Sequence, residues 1–442
     1  MCCITAVPAT LCLNVITIIT YHVRNSEKDN IRCGHMRIVQ INMMHTGSTG
    51  KIMFGIASSA RKDGNVVRTF SPVYYVRHGR MTKLEIAEHE YFGFAKENML
   101  NYIFAKLSGI ENIGSFWGTL QLINKISKFE PDIVHLHNIH NYTIHLPLLF
   151  YYLKKKKIQV IWTLHDCWAF TGRCSHFLIS KCEKWKAGCG HCKQIYEYPR
   201  YYLDQTKTNW RLKKKIFTGI QDLVLIAPSK WLSRLTEQSY LGRIGDIYTI
   251  ANGIDLNVFR PVYGTIAEKY NIEKKKIILG VAFDWETRKG LDVFVELAQR
   301  MNDHYQIMLV GTHEKVDKKL PDGIISIHRT YDQYELAEIY STADVFVNPT
   351  REDNFPTVNI EALACGTPVV TFDTGGSPEI LDETCGIVVP CDDIPTLEKA
   401  IRHVVEDKPF TAEACRKRAE KFDMQDKFAE YVQLYHDLCE KK

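Results

Sequence analysis

An α/β protein of two domains, each a parallel sheet with helices on both faces, is predicted by three features of this 442-residue sequence. Short apolar runs alternate with amphipathic stretches from residue 37 to the C-terminus, and strand–helix alternation builds parallel sheets. The runs come in two sets, separated near 258–264, where Pro261 and Gly264 break the pattern. The segment 348–370, NPTREDNFPTVNIEALACGTPVV, reads in one pass as strand end, polar loop, helix, glycine stop and next strand.

In the first set, strands are expected at 38–41, 133–136, 160–164, 223–227 and 247–251. A glycine turn at 46–50 follows the first, and a helix over about 51–62 follows the turn. Asn252-Gly253-Ile254-Asp255 is a turn signal after the last strand. In the second set, strands are expected at 277–281, 306–310, 324–327, 345–348, 369–372 and 386–389, with helices over 291–301 and 334–341. A final helix spans 424–438. The division is therefore 36–258, 262–422 and a terminal helix within 423–442.

Residues 1–35 do not fit this pattern. Positions 2–23 carry no charge, yet Pro8 and Asn14 interrupt them. A signal peptide would need a basic start, and the stretch is short and threonine-rich for a membrane span. The folded part is expected to begin at Met36, with a weak anchor as the alternative.

The loop between 348 and the next helix gathers Arg351, Glu352, Asp353 and Asn354. Pro356 suits a first helical turn, where its missing N–H costs little. Carboxylates and a helix N-terminus are thus expected at the carboxyl edge of a parallel sheet, where α/β folds bind ligands and free amides favour phosphate. The second acid, Glu361, follows Asp353 by eight positions and Glu352 by nine. A carboxylate placed like Glu361 can accept two ribose hydroxyls, as dinucleotide sites do; the plain alternative is a surface glutamate.

On these residues the chain resembles the family-4 retaining glycosyltransferases. Their acidic motif pairs two acids eight positions apart around a phenylalanine, here Phe355, and continues into A-x-x-x-G-x-P-V-V-like sequence. The resemblance covers Met36 to the C-terminus. It implies the GT-B fold: two Rossmann-like domains whose parallel sheets face each other across a cleft, with the final helix crossing back to the first domain.

It also implies the site. Glu361 would hold ribose, and Asp353 or Glu352 the sugar hydroxyls; the spacing leaves open which. Lys289, in a Thr287-Arg288-Lys289-Gly290 turn, matches the diphosphate-binding lysine. The arginine often found six positions earlier is Phe283 here, so either Arg288 supplies the second cation or Lys289 and helix amides suffice. A departing diphosphate needs positive charge where its own negative charge grows. Gly375 and Gly376 match the glycine loop after the next strand. In the first domain His165 matches the histidine facing the donor sugar, and Gly47 and Gly50 shape the first loop on the acceptor side. That loop is not a triphosphate-binding loop, because two residues separate its glycines and Ile52 follows Lys51. His135, His137 and His140 read as packing residues.

Cys174, Cys182, Cys189 and Cys192 lie within nineteen residues of a long insertion, 166–200. They can wrap one tetrahedral ion, so a structural zinc is one expectation; free thiols or disulfides are the others. No cofactor is expected for catalysis, since no Asp-x-Asp pair ends a strand.

An apolar content of 45%, charged residues at 24% and a mild net charge of +5 fit a globular protein, and no recognisable nucleic-acid-binding module appears, so no nucleic-acid partner is expected. Lysine runs at 154–157, 213–215 and 274–276 read either as solvated faces or as attraction to anionic lipid. The resemblance implies a UDP- or GDP-sugar as donor and a glycan or polyprenyl-diphosphate-linked acceptor. It implies a cytoplasmic protein in peripheral contact with the inner membrane face, working on capsule, exopolysaccharide or lipopolysaccharide. An epimerase on the same plan, or a non-catalytic sugar-nucleotide-binding subunit, stays open beside it.

Overall fold

The computed structural model describes residues 35–73, 75–76, 79–80, 88–140, 142–197 and 199–441. The expectation about a non-core N-terminal extension falls on residues outside these, apart from His35.

The first domain holds β1 (Arg37–Ile41), β2 (Val66–Pro72), β3 (Tyr75–Val76), β4 (Gly79–Arg80), β5 (His89–Phe92), β6 (Ile133–Leu136), β7 (Gln159–Thr163), β8 (Leu223–Ala227) and β9 (Gly245–Thr249). Seven of them form one sheet in the order β5-β2-β1-β6-β7-β8-β9. Every neighbouring pair in it is parallel. The second domain holds β10 (Lys276–Val281), β11 (Tyr305–Val310), β12 (Ile325–Ile327), β13 (Val345–Asn348), β14 (Val369–Phe372) and β15 (Gly386–Val389). Their order is β12-β11-β10-β13-β14-β15, again all parallel. Both sheets therefore run outward from their first strand in both directions, the doubly wound Rossmann arrangement.

Burial explains why the apolar runs became strands. All residues of β6, β7, β8, β11, β13 and β14 are buried, as expected of central parallel strands covered on both faces. Two strands of the seven-stranded sheet, and the short pair β3 and β4, escaped the sequence pattern. β2 carries Arg68, whose guanidinium lies 4.8 Å from the Phe129 ring centroid and 3.3 Å from Glu90. β5 carries His89 and Glu90. Near a sheet edge such polar residues reach partners without leaving the ladder. β9 begins and ends two residues earlier than expected.

The helix after β1 spans Gly47–Lys62, so Gly47 and Gly50 belong to its first turn rather than to a separate loop before it. A Cβ on Gly50 would sit 2.6 Å from the carbonyl carbon of His45. Glycine there lets the chain fold back sharply enough to start the helix early.

Helix Met424–Glu440 packs on the first domain although it follows the second. Phe428, Tyr431, Val432, Tyr435 and Leu438 share a core cluster with Met36, Ile38, Ile52 and Ile56. Tyr435 Oη lies 2.6 Å from His135 Nδ1, and His436 reaches Asp63 at 2.6 Å. The two chain crossings run side by side: Ile254 N–H donates to Phe422 O at 3.0 Å, and Met424 N–H to Ile254 O at 2.9 Å. No helix among the described residues is long and apolar enough to cross a membrane.

Candidate active site

Strand order reverses between β1 and β6 in the first sheet and between β10 and β13 in the second. Ligands of doubly wound sheets bind outside the carboxyl ends of the strands at such points. Loops at the carboxyl ends of the two sheets meet each other. Asn354 Nδ2 donates to His165 O at 2.6 Å. Glu379 of the second domain accepts from Lys230 N–H at 2.8 Å and Trp231 N–H at 2.7 Å, at the N-terminus of the first-domain helix Lys230–Gln238. A carboxylate there satisfies orphan amides and complements the helix dipole.

On the second-domain wall, the turn Thr287–Lys289 after β10 faces the acidic loop after β13. Lys289 Nζ donates to Asp353 Oδ2 at 2.5 Å. Burial works to raise the Asp353 pKa, but Lys289, His176 and Arg288 override it and hold the carboxyl below its ordinary range. Arg288 Nη1 donates to the Glu352 carbonyl at 3.1 Å. Arg351 braces the loop from outside, reaching Asp292 and Asp392 at 2.7 Å each. Phe283, which stands where an arginine was wanted, is fully exposed.

Glu352 and Asp353 take different places. Glu352 is buried and turns to the first domain, where Oε1 accepts the backbone amides of Phe177 and of Leu178, the latter at 2.5 Å. Burial raises its pKa, against those hydrogen bonds. Asp353 is the acid on the cation side.

Glu361 lies on helix Thr357–Ala364 and accepts from Tyr340 Oη at 3.1 Å. Burial pushes its pKa up, while the Tyr340 and Thr357 hydroxyls and the charge of Lys51 pull it down. Lys51 belongs to the first domain, so Glu361 looks across the cleft. Sequence reasoning left Lys51 without a role; its place after the glycine turn was the available signal.

On the first-domain wall, His165 follows β7. Its Nε2 lies 3.1 Å from His137 Nδ1, and His137 Nε2 lies 3.1 Å from the Gln40 side-chain amide. Burial lowers the His165 pKa to about 4, with Asp166 raising and His140 lowering it. A neutral imidazole, oriented by a neighbour, is what this row supplies. His135 is bonded to Thr163 and Tyr435 and serves the core. His140 pairs with Asp166 at 3.0 Å.

Several expected site residues also make contacts within the protein. Phe355 is buried, packs 5.7 Å from the Phe422 ring and belongs to the second-domain core, where it fixes the acidic loop. Gly376 N–H donates to Asp353 O at 3.2 Å and is spent on protein. A Cβ on Gly375, whose φ is +58°, would fall 1.7 Å from Asp353 O. These glycines let two loops lie against each other. Lys213 is no part of a surface run: it is buried, 3.2 Å from Glu111 and 3.9 Å from the Trp168 ring centroid.

Among the described residues no three His, Cys, Asp or Glu side chains converge to hold a metal ion. Cys174, Cys182, Cys189 and Cys192 are all free thiols. Cys174 Sγ faces Gln194 Oε1 at 3.7 Å, and Cys189 Sγ accepts from Gly172 N–H at 3.1 Å. Cys174 and Cys192 share a side-chain hydrogen bond, and Cys189 lies within electrostatic reach of Cys174, Cys182 and Cys192. Aromatic packing and hydrogen bonds hold the insertion: Trp185 lies 5.2 Å from Phe170 and 5.3 Å from Phe177, and buried Arg173 donates to the carbonyls of Gln194 and Glu197.

Comparison with known proteins agrees with this geometry. Residues 100–258 match the family model "Glycosyltransferase Family 4", and 274–407 match "Glycosyl transferases group 1", so one model falls in each domain. The putative colanic acid biosynthesis glycosyl transferase WcaC of Escherichia coli is 24% identical over 77% of this chain and 84% of its own length. The N,N'-diacetylbacillosaminyl-diphospho-undecaprenol α-1,3-N-acetylgalactosaminyltransferase of Campylobacter jejuni is 26% identical over 41% of this chain and 52% of its own. Among solved structures, the sucrose-phosphate synthase of Thermosynechococcus elongatus superposes with a TM-score of 0.65 at 18% identity, covering 92% of this chain and all of that one. Anabaena HepE, solved with UDP, gives 0.61 at 13% identity over 91% of this chain and 99% of that one. With its two facing Rossmann-like domains, its acidic motif and a family model in each half, the chain belongs to the family-4 glycosyltransferases of the GT-B fold.

Proposed function

We propose that this glycosyltransferase moves a sugar, with retention of configuration, from a UDP- or GDP-sugar to a glycan or polyprenyl-diphosphate-linked acceptor in surface polysaccharide assembly. The observation that carries the reading is the Lys289–Asp353 pair at the second-sheet switch point, with Arg288 beside it. Lys289 and Arg288 stabilise charge on the departing diphosphate. Asp353 faces the sugar hydroxyls, Glu361 the ribose, and neutral His165 closes the opposite wall. The anomeric C–O bond to phosphate breaks as the acceptor oxygen bonds on the same face. The acceptor's proton passes to the leaving phosphate. The protein then supplies positioning and charge, with no nucleophile and no divalent ion. HepE binding UDP makes UDP the first nucleotide to test, and the Campylobacter relative's name supports a lipid-diphosphate acceptor.

Membrane contact has support in helix Ala95–Ser108. Met99, Leu100, Ile103, Phe104 and Leu107 are exposed along one helical stripe, with Phe94 and Trp117 nearby. Lys96 and Lys106 lie on the same helix. An exposed apolar stripe with flanking lysines fits a bilayer interface better than water.

The test is product analysis. Full-length protein is given a panel of UDP- and GDP-sugars with a polyprenyl-diphosphate glycan, in EDTA, and the anomeric configuration of the product is read by NMR. An α-linked product from an α-configured donor supports the reading. Inversion, or a new sugar isomer released without acceptor, would overturn it.

A further inference from the structure

The insertion that carries the cysteines also carries His176, which lies among the donor-site charges. Arg288, Asp166, Asp353 and Lys289 all act on its ring electrostatically. Its Nδ1 is buried and has no hydrogen-bond partner. Buried polar atoms nearly always have one, so each exception calls for an explanation.

The residues beside it are pinned. Ser175 O accepts from Cys167 N–H at 3.1 Å, tying the loop to the end of β7. Phe177 and Leu178 donate their amides to Glu352, and the Phe177 ring is buried against Trp185. Glu352 therefore joins the insertion to the acidic loop and fixes where His176 sits. Burial, with Arg288 next, lowers the His176 pKa to about 4, so the ring is neutral at neutral pH. A neutral ring adds no charge for phosphate, which Lys289 and Arg288 already face. It is suited to a hydroxyl, which can donate or accept.

We infer that His176 Nδ1 hydrogen-bonds a hydroxyl of the transferred sugar, with Glu352 as the residue that positions it. This rests on the sugar-nucleotide reading above, and makes the insertion part of the donor site.

Titration calorimetry of the full chain with UDP, and with the tightest of UDP-glucose, UDP-galactose and their N-acetylated forms, tests it. For His176→Ala the sugar-nucleotide Kd is expected to rise about threefold to tenfold, the usual effect of one lost hydrogen bond. The Kd for UDP alone should stay within about twofold, which also shows an intact site. His176→Asn, whose amide can occupy the Nδ1 position, should recover most of the loss; His176→Gln, which mimics Nε2, should not. Equal weakening of both ligands, or no change in either, would overturn the assignment while leaving the donor site standing. A wild-type chain that binds no member of the panel would overturn both.

Discussion

Replacing Lys289 by methionine removes a charge from the centre of the proposed donor site while keeping most of the side chain's bulk. Its partner oxygen lies 2.5 Å away, and both side chains are about one-fifth exposed. At an effective dielectric of about 20, unit charges at that distance attract by about 7 kcal/mol before desolvation. Desolvation and water contact offset most of this. Exposed pairs are worth about 0–1 kcal/mol, and breaking buried ones costs about 3–5 kcal/mol. This pair is nearer the middle, so Lys289→Met should destabilise the protein by about 2 kcal/mol at pH 7. The pH dependence has a definite sign. The Asp353 carboxyl is held below its ordinary value by Lys289 against burial. Its stabilisation is therefore present above the unfolded value of about 3.9 and lost as pH falls through the lower folded value. The stability gap between wild type and variant should be full at pH 7 and close below about pH 4. Loss of a preorganised charge facing the leaving group should lower kcat by about 100-fold or more. Urea unfolding at both pH values and UDP release in a transfer assay measure the two effects. A variant with kcat within threefold of wild type would refute the leaving-group role. One with no loss of stability would refute the coupling to Asp353.

Four further outcomes are expected. Burial lowers the pKa of His135 to about 3 and of His165 to about 4, so their neutral forms stabilise the fold above about pH 6.5, and this is lost as pH falls toward 4; His135→Gln should flatten that slope in urea unfolding, and an unchanged slope would count against it. Leu100→Glu with Phe104→Glu should abolish co-sedimentation with vesicles of anionic lipid while leaving UDP binding intact; retained sedimentation would move the membrane contact elsewhere. Metal analysis of protein purified without chelator should find well below the roughly one equivalent of a closed zinc site, because no three ligating side chains among the described residues are grouped to hold an ion; a full equivalent would support the structural zinc. Glu352→Ala should speed hydrogen exchange at the Phe177 and Leu178 amides, and unchanged protection there would deny Glu352 its part in holding the insertion.

The sheets were legible because central parallel strands are buried on both faces and must be apolar throughout, as β7 and β8 are. β2 and β5 were not, because near an edge Arg68 and Glu90 find partners within the sheet surface. The acids and cations of the proposed donor site were legible as a charged cluster because a strand-end loop with opposite charges announces a polar crevice. Which acid faces which way was not. Only the fold brings Glu352 to the amides of Phe177 and Leu178, about 175 positions earlier in the chain. For the same reason His176 was silent: nothing in a lone histidine of a cysteine-rich stretch says that Arg288 and Asp353 will surround it. That the Phe355 ring joins the second-domain core was not legible, because a motif phenylalanine reads alike whether its ring packs inward or outward. The exposed stripe of helix Ala95–Ser108 has the same periodicity as a core-facing one, and sequence pattern alone does not tell the two apart.

The proposed function requires a sugar nucleotide at the β10–β13 switch point with its ribose on Glu361. Calorimetric titration of UDP into the full chain and into Glu361→Ala tests it most directly. Wild type should bind, and loss of a carboxylate accepting two hydroxyls, at about 1.5–3 kcal/mol for a charged hydrogen bond, should weaken binding by at least about tenfold. Equal binding by both proteins, or no heat with UDP, GDP or ADP, would contradict the account.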